Sequence, residues 1–381
     1  MDSDKKQILV DAEEVGELFT AALAADYTTV RRLGNRIAKK LSEAGDEIGA
    51  RKLRGFLRKR GVPLQASGYI EALPMDSASR LPLIEELAWP TSTSLMNLKT
   101  KNSVDRFLED AENIKLLEKE GVSSRLGLML YGPPGTGKSL LAGHIASKLS
   151  RPIYMARLDS LISSRLGETS KNIRGIFDFI PTRNAVLFLD EMDAVAKLRD
   201  DKNELGELKR VVNTVLQGLD SLSDEVLVVG ATNHPHLLDP AIWRRFPYKI
   251  EMGLPDGKTR EIMWQHFLEH KNLKIDYDNK IFSQLSEGLS GAEIEQVALA
   301  VKRRSVLDGK VASMSAIILG INELKAGRTP TLDRGEISPE EKKQVIYLLT
   351  EKTDVSAAEI GRILGISRQM VHKYLKAREN G

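Results

Sequence analysis

One stretch constrains the fold more than any other. Residues 126–146 read LGLMLYGPPGTGKSLLAGHIA, which is an apolar run, a loop rich in Gly and Pro, and a helical pattern. Further short apolar runs follow, most of them separated by helical patterns: PIYMARL, AVLFLDE, EVLVVGAT and YKIEM. Strands that are apolar along their whole length are buried on both faces, which is typical of a parallel sheet covered by helices. The sequence therefore predicts an α/β domain built on a parallel five-stranded sheet.

The loop after the first run matches the pattern G-x-x-x-x-G-K-[ST]. Small residues let backbone N–H groups curl around a phosphate, and the following helix points its positive end at the same place. Lys138 would neutralise the β and γ oxygens of a nucleoside triphosphate, and the hydroxyl of Ser139 would hold Mg²⁺. The alternative is a plain glycine turn. The residues expected to bind the nucleotide are Gly132, Pro133, Pro134, Gly135, Thr136, Gly137, Lys138, Ser139 and Leu140.

Polar residues stand at the ends of two later strands. AVLFLDE ends in Asp190 and Glu191, and Asn233 follows EVLVVGAT. The carboxyl ends of parallel strands meet at one edge of a sheet, beside the phosphate loop. Asp190 would hold Mg²⁺ through water, Glu191 would orient or deprotonate the attacking water, and Asn233 would bind the γ-phosphate and that water. The alternatives are a solvated acidic pair and a turn residue.

Composition excludes several classes of protein. The chain of 381 residues has a net charge of +3, which is small for this length and does not by itself indicate nucleic acid as a partner. It contains no cysteine, so disulfides, thiolate metal sites and a cysteine nucleophile are excluded. The N-terminus has no apolar segment flanked by positive charge, and no apolar run reaches the ~18–20 residues that cross a bilayer. We expect a cytoplasmic protein without a membrane partner.

The composition and the residue pattern change several times along the chain. Residues 31–60 contain eleven Lys or Arg and three Asp or Glu, on helical patterns that could bind nucleic acid, a partner or one another. The predicted parts are a basic helical region (1–62), a linker (63–102), a large α/β subdomain (103–253), a helical lid (254–328), a second linker (329–338) and a C-terminal three-helix module (339–381).

The C-terminal module has helix-turn-helix spacing in AAEIGRILGISRQMVHKYL. Gly361 would let two helices approach, Gly365 would permit a left-handed turn, and Val371 would be buried. The outer face of the second helix suits the major groove of DNA. The alternative is a protein-interaction module with a solvated basic face. The candidate DNA-binding residues are Arg368, Gln369, His372, Lys373 and Lys376.

Taken in order, GPPGTGKS, FLDEMDA, VGATN and LDPAIWRRF resemble an AAA-type ATPase of the branch that includes katanin, spastin and the membrane-anchored AAA proteases. The resemblance covers roughly residues 88–325 and implies a P-loop nucleoside triphosphatase fold with a helical lid, ATP and Mg²⁺ as ligands, and a homo-oligomer, most often a hexamer. LSGAEIEQVALA resembles the lid signature, which implies that Gly291 and Ala292 lie near the base and ribose. A helix N-cap at Ser290 is a second reading.

The resemblance also gives a role to Arg244 and Arg245, which stand side by side without an acidic neighbour in the sequence. In that family such a pair faces out of its own subunit and reaches the γ-phosphate bound to the next subunit. An arginine supplied in this way is worth ~10³–10⁵ in rate. The alternative is a surface pair held by a distant acidic residue.

The chain departs from the family at the central pore loop. Polypeptide-threading members carry an aromatic residue before a Gly-Glu pair, whereas SSRLGETS has Arg165 and Leu166 in the loop. Arg165 would place a ring of positive charge in the pore, or would be only a solvated loop residue. No H-E-x-x-H occurs, so the chain is not its own zinc protease.

These observations favour a ring-forming ATPase that remodels a protein or nucleoprotein partner. Its helix-turn-helix would recruit it to DNA, and it would work with a separate effector such as a protease. One alternative is a DNA-binding regulator whose ATPase is a nucleotide-dependent assembly switch. Another is an adaptor that binds ATP and hydrolyses it poorly, which the presence of Glu191 and the arginine pair argues against.

Overall fold

The computed structural model describes residues 12–23, 27–58, 73–76, 79–122, 125–162, 168–194, 205–223, 225–269, 278–308, 313–330 and 337–379. The chain divides into two units. The first unit comprises Met1–Thr93, Val104–Tyr131 and Ser139–Ile250. The second unit comprises Ser94–Ser103, Gly132–Lys138 and Glu251–Gly381. Arg165 and Leu166 lie outside the described residues.

A six-stranded sheet forms the centre of the first unit, with strand order β1-β3-β4-β5-β2-β6. The pairs β2–β5, β4–β5 and β3–β4 are parallel, and β1 pairs with β3 in the antiparallel direction. The strands are β1 (Glu85–Leu87), β2 (Gly127–Tyr131), β3 (Ile153–Arg157), β4 (Val186–Asp190), β5 (Leu227–Thr232) and β6 (Tyr248–Glu251).

The α/β prediction is confirmed, and all of the apolar runs form strands. The strand count was too low, because β1 lies in the segment that we interpreted as a linker. Two of the three residues of β1, Glu85 and Glu86, are exposed, so the strand has no apolar run to reveal it. Its position at the sheet edge explains this composition, because an edge strand tolerates charged side chains that a central strand excludes.

Helices cover the sheet and precede it along the chain. The central strands are buried along nearly their whole length, as their apolar composition predicts. Ile173 and Val215, from two neighbouring helices, pack in the same core. The helices of this part are α1 (Ala12–Leu23), α2 (Tyr27–Glu43), α3 (Glu47–Arg58), α4 (Leu98–Glu112), α5 (Ile114–Lys119), α6 (Lys138–Lys148), α7 (Leu158–Ile162), α8 (Thr169–Phe179), α9 (Leu205–Ser221) and α10 (Pro240–Arg244).

The second unit is helical after residue 251. Trp264, Phe282 and Ile317 pack in one hydrophobic core together with Leu349 and Val371 of the last three helices. The C-terminal helices therefore share their core with the helices that precede them. The helices are α11 (Gly257–Leu268), α12 (Asn279–Leu285), α13 (Gly291–Asp308), α14 (Met314–Lys325), α15 (Pro339–Lys352), α16 (Ala357–Leu364) and α17 (Arg368–Glu379).

Helix ends in the second unit carry the expected caps. Ser338 and Glu341 form a reciprocal capping box at the start of α15, and Ser356 caps α16. None of the helices in the described part of the chain has the length and hydropathy needed to cross a membrane.

Candidate functional site

The glycine-rich loop joins the end of β2 to the start of α6 and is curled by its glycines. The φ angles of Gly132, Gly135 and Gly137 are 145°, 73° and 90°, in the region that glycine alone adopts readily. A Cβ on Gly132 would lie 2.2 Å from the carbonyl oxygen of Met252. The loop conformation therefore depends on glycine, as the phosphate-cradle pattern predicts.

Lys138 is buried and points its ammonium group back at this loop. Its Nζ donates to the carbonyl oxygens of Gly132 and Pro133, both at 2.8 Å. An ammonium group held at the mouth of a curled backbone is placed to meet a phosphate oxygen.

Residues 290–293 contact the same loop within the second unit. The backbone N–H of Ala292 donates to the carbonyl oxygen of Gly135 at 3.1 Å. Ser290 and Glu293 cap α13 reciprocally, since the Glu293 carboxylate accepts from both the backbone N–H and the hydroxyl of Ser290 at 2.7 Å. The N-cap reading of Ser290 is thus confirmed. A Cβ on Gly291 would lie 3.3 Å from Met263 Cε, so little space remains for a side chain there.

A narrow cleft of about 20 Å³ opens beside these residues in the second unit. It is lined by Thr136 of the loop, by Gly291 and by the start of α4, where Asn97 accepts a hydrogen bond from the N–H of Thr100. Sequence reasoning missed Leu95–Thr100 because we interpreted the segment as a linker. The remaining walls are Met252, Gly253, Pro255, Thr259 and Met263.

In the first unit, the end of β4 meets the start of α6. The hydroxyl of Ser139 donates to Asp190 Oδ2 at 3.3 Å, and the N–H of Glu191 donates to Asp190 Oδ1 at 2.9 Å. Two of the predicted residues, Ser139 and Asp190, are thereby brought into direct contact. Both offer the oxygen ligands that Mg²⁺ prefers.

Glu191 is the residue with the most perturbed environment in this cluster. A hydrogen bond with the carboxyl of Asp159, followed by desolvation and by the charges of Asp159, Asp190 and Asp193, raises the pKa of Glu191. Its backbone has a φ of 54°, in the left-handed region. Such strain in a non-glycine residue is most often found at functional positions. Sequence reasoning missed Asp159, which lies on α7 and has no motif around it.

Asp193, which follows β4, forms hydrogen bonds with the end of β5. Its Oδ1 accepts from the hydroxyl of Thr232 at 3.0 Å and from the backbone N–H of Asn233 at 3.3 Å. Asp193 is almost fully buried, and these bonds fix the position of the Asn233 backbone. The third carboxylate of FLDEMDA was the available signal for this role, and we did not use it.

The arginine pair stands at the C-terminal end of the short helix α10. Asp239 caps α10 by accepting from the N–H of Ala241 at 2.8 Å, and Phe246 is buried behind it. Arg245 forms a two-point ion pair with Asp220, at 3.1 Å from Nε to Oδ1 and 2.9 Å from Nη2 to Oδ2. Arg244 is exposed, and its guanidinium forms neither a hydrogen bond nor an ion pair with any described residue. The alternative that a distant acidic residue holds the arginine pair therefore applies to Arg245 and not to Arg244.

The five candidate DNA-binding side chains are all exposed on α17, and Val371 on the opposite face is buried. Gly365 adopts the left-handed conformation with φ 64°. A Cβ on Gly361 would lie 2.7 Å from the carbonyl oxygen of Ile366, so glycine permits this close approach. The left-handed turn at Gly365 and the burial of Val371 agree with the sequence, while the helix-turn-helix assignment and DNA binding stay predictions.

Ser139 and Asp190 offer oxygen ligands that could hold Mg²⁺ only together with water and substrate phosphates. Among the residues that the structure describes, no group of three or more His, Cys, Asp and Glu side chains is arranged to hold a metal ion alone. Mg²⁺ commonly uses only one or two carboxylates and completes its shell with water and substrate phosphates. The contact between Ser139 and Asp190 suits that mode of binding.

Comparison with known proteins identifies relatives of the chain. Residues 128–254 match the profile of the ATPase family associated with various cellular activities (AAA). An uncharacterized AAA family ATPase, y4kL of Sinorhizobium fredii, is 39% identical over 194 residues, which is 50% of this chain and 58% of that protein. A proteasome-activating nucleotidase of Saccharolobus solfataricus is 31% identical over 311 residues, which is 78% of this chain and 76% of that protein.

The structural comparison agrees at the level of the fold. The crystal structure of the FIGL-1 AAA domain superimposes with a TM-score of 0.52 at 20% identity and covers 72% of this chain and 93% of that one. The chain spans 54–60% of the length of three curated relatives, the Sinorhizobium protein among them.

Proposed function

Because this chain belongs to the AAA family of ATPases, we propose that it hydrolyses ATP with Mg²⁺ and assembles into a homo-oligomeric, hexameric ring. The observation that carries the proposal is the end of β4, where Ser139 contacts Asp190 and Glu191 follows with a raised pKa. A carboxylate whose pKa is raised is a stronger base than an ordinary one, which suits proton abstraction from water.

The loop supplies the phosphate contacts. The backbone N–H groups of the loop residues other than Pro133 and Pro134 would donate to the β- and γ-phosphates. Lys138 would neutralise their charge by exchanging its contacts with Gly132 and Pro133 for phosphate oxygens. Gly291 and Ala292 flank the base and ribose, where the small space at Gly291 excludes a larger side chain.

The strand ends supply the chemistry. Ser139 and Asp190 would hold Mg²⁺, which when bound would neutralise charge on the phosphate oxygens. Glu191 orients the attacking water and accepts its proton, and Asn233 orients the γ-phosphate and that water from a backbone fixed by Asp193. The arginine pair of a neighbouring copy would complete the pocket, since Arg244 is exposed and its guanidinium forms neither a hydrogen bond nor an ion pair with the described residues of its own chain.

The client and the effector are proposed from the relatives. Several of them are named proteasome-activating nucleotidases, which suggests that this chain feeds a separate protease or other effector with a protein or nucleoprotein client. The positive charge of Arg165, beside Leu166 in the predicted pore loop, would favour an acidic client over an arbitrary polypeptide.

We propose that the C-terminal helices recruit the ATPase to DNA. The exposed face of α17 carries Arg368, Lys373 and Lys376 for phosphates and Gln369 for a base edge, with His372 beside them. The same face favours the second candidate, a DNA-binding regulator whose ATPase switches its assembly, because α17 shares a core with the helices around α13.

One variant tests the hydrolytic assignment. Glu191→Gln should abolish steady ATPase activity and trap ATP on the protein, whereas Glu287→Gln, an exposed change in the second unit, should leave the rate unchanged. Hydrolysis by Glu191→Gln at the parent rate would overturn the assignment.

A second experiment, the ATPase rate with and without DNA, separates the two candidate functions. A remodeller turns over ATP steadily, whereas an assembly switch shows weak turnover with nucleotide-dependent DNA binding.

A further inference from the structure

A cavity of about 460 Å³ lies in the first unit between the basic helices and the segment that contains β1. Its walls include Arg32 of α2, Arg54 and Leu57 of α3, and Trp89. Small-molecule sites commonly enclose ~300–1,000 Å³, so this cavity is large enough for a ligand of that kind. None of its lining residues belongs to the loop of residues 132–138.

Most basic side chains of α2 are balanced by carboxylates. The ion pairs are Arg31 with Glu86 (3.7 Å), Arg36 and Lys40 with Glu14 (3.8 and 2.7 Å), and Lys39 with Glu43 (3.9 Å). By contrast, Arg32 and Arg54 form neither a hydrogen bond nor an ion pair with any residue in the described ranges. Both of these arginines line the cavity, where they outnumber Glu85, the lining carboxylate that is not paired with Arg31.

Arg32 gives the strongest indication of a missing partner. Its Nε is shielded from solvent and has no hydrogen-bond acceptor. A buried donor without an acceptor is destabilising, and native structures leave few such groups. The planar guanidinium group matches the oxygens of phosphate or carboxylate better than any other side chain. An anionic group bound between Arg32 and Arg54 would satisfy this donor.

The other walls define the rest of the ligand. Leu57, Leu87, Trp89 and Pro90 supply apolar surface, Glu85 supplies a carboxylate, and the carboxylate of Glu86 is paired with Arg31. The carboxylate disfavours a ligand that is anionic at both ends, and it can accept hydrogen bonds from hydroxyl or amino groups. A nucleotide has this division, with a charged phosphate at one end and a flat, neutral base and a sugar at the other.

We propose that the cavity binds a nucleotide unit, with the phosphate on Arg32 and Arg54 and the base against the apolar wall. It is a second nucleotide site in addition to the proposed ATP site, and it gives a role to the basic N-terminal helices. The nucleotide unit comes either from a free mononucleotide or from a strand of nucleic acid. The proposal does not depend on ATP hydrolysis.

The test uses the full chain carrying Lys138→Ala, which weakens binding at the ATP site. Isothermal titration with AMP, with UMP and with a thymidine strand of about ten nucleotides should reveal saturable binding of at least one probe. AMP and UMP lack the β- and γ-phosphates that Lys138 contacts, so they report mainly on the cavity. Binding of the mononucleotides identifies the free ligand as the source, and binding of the strand alone identifies nucleic acid.

Two variants and one control assign the binding to the cavity. Arg32→Gln and Arg54→Gln should each weaken it by about tenfold or more, as expected when a hydrogen bond to a charged group is lost. Arg51→Gln removes the same charge from the exposed face of α3 and should change nothing. Arg54→Gln carries the test if Arg32→Gln fails to fold. Absence of saturable binding of every probe, or an equal loss in Arg51→Gln, would overturn the proposal.

Discussion

Arg245 and Asp220 form a two-point ion pair, while the guanidinium of Arg244, the preceding residue, forms neither a hydrogen bond nor an ion pair with the described part of the chain. Arg125 reinforces the pair by donating to the carbonyl oxygen of Leu219 at 2.9 Å and by lying 3.5 Å from Asp220 Oδ1. The two adjacent arginines are therefore not equivalent. Arg244 is available to a second molecule, and Arg245 would have to leave Asp220 to take the same role.

Asp220→Asn should lower the free energy of unfolding at neutral pH by about 1 kcal/mol or less, because partly exposed ion pairs contribute little. Hydrogen bonding from Arg245 lowers the pKa of Asp220. The stabilisation is therefore present above the pKa of this carboxyl in the unfolded chain and is lost as the pH falls through the lowered pKa of the folded state. Denaturant unfolding across pH should show the difference between the two proteins shrinking on acidification. Arg244→Ala serves as the control without an effect, and a difference that grows in acid would contradict the prediction.

Asp159→Asn should shift the acidic limb of the profile of ATPase rate against pH to lower pH. The hydrogen bond and charge of Asp159 raise the pKa of Glu191, whereas an asparagine amide would donate to the Glu191 carboxylate and stabilise its charged form. Rate measurements from acid to neutral pH check this shift. Asp178→Asn, an exposed change on α8, should leave the limb in place. A limb that stays fixed or rises in Asp159→Asn would show that Glu191 does not govern it.

Leu349→Ala should destabilise the entire helical core of the second unit by about 2–5 kcal/mol, the usual cost of a large cavity in a packed core. Leu349 is fully buried and packs in one core with Trp264, whose indole N–H donates to the hydroxyl of Ser286 at 2.9 Å. The fluorescence of Trp264, with Trp89 and Trp243 replaced by Phe, should follow the same transition as the helical signal.

Leu307→Ala is the matched control, since Leu307 is 76% exposed and its removal should change stability by less than about 0.5 kcal/mol. Two separate transitions in Leu349→Ala would mean that the C-terminal helices and the preceding helices do not share a cooperative core.

Lys373→Ala should weaken DNA binding at low salt without altering sequence preference. A lysine that meets a phosphate displaces one counterion, so its loss should reduce the slope of log affinity against log salt by about one. Affinity titrations on duplex DNA over a range of salt concentrations measure that slope. Lys352→Ala removes an exposed charge from α15 and should leave the slope unchanged. Equal slopes for Lys373→Ala and the parent chain would remove α17 from the interface.

Much of the fold could be predicted because local pattern carried it. The runs that form β2 to β5 are apolar along nearly their whole length, as expected of strands buried between two layers of helices, whereas β6 carries Lys249 and Glu251 and is only partly buried. The proximity of Asp190 to Ser139 agrees with the expectation that the end of β4 lies beside the phosphate loop. Gly365 followed from the need for a left-handed turn.

What escaped prediction depends on packing between distant segments. Asp220 reaches Arg245 only because the end of α9 lies against α10, and no local signal records that arrangement. Asp159 approaches Glu191 from a short helix without a motif. The shared core of Leu349 and Trp264 depends on which apolar faces meet, which periodicity alone does not specify.

The measurement that tests the central claim most directly is the ATPase rate of a mixture of two inactive variants. Arg244→Ala keeps Glu191 but should lose rate by a factor of about 10³ or more, and Glu191→Gln keeps Arg244. In mixed rings, a Glu191→Gln subunit lends its arginine to the intact pocket of an Arg244→Ala neighbour. We predict that the mixture hydrolyses ATP faster than the mean of the two separate proteins. A mixture no faster than that mean, although mixed assemblies form, would contradict a pocket completed by the adjacent molecule.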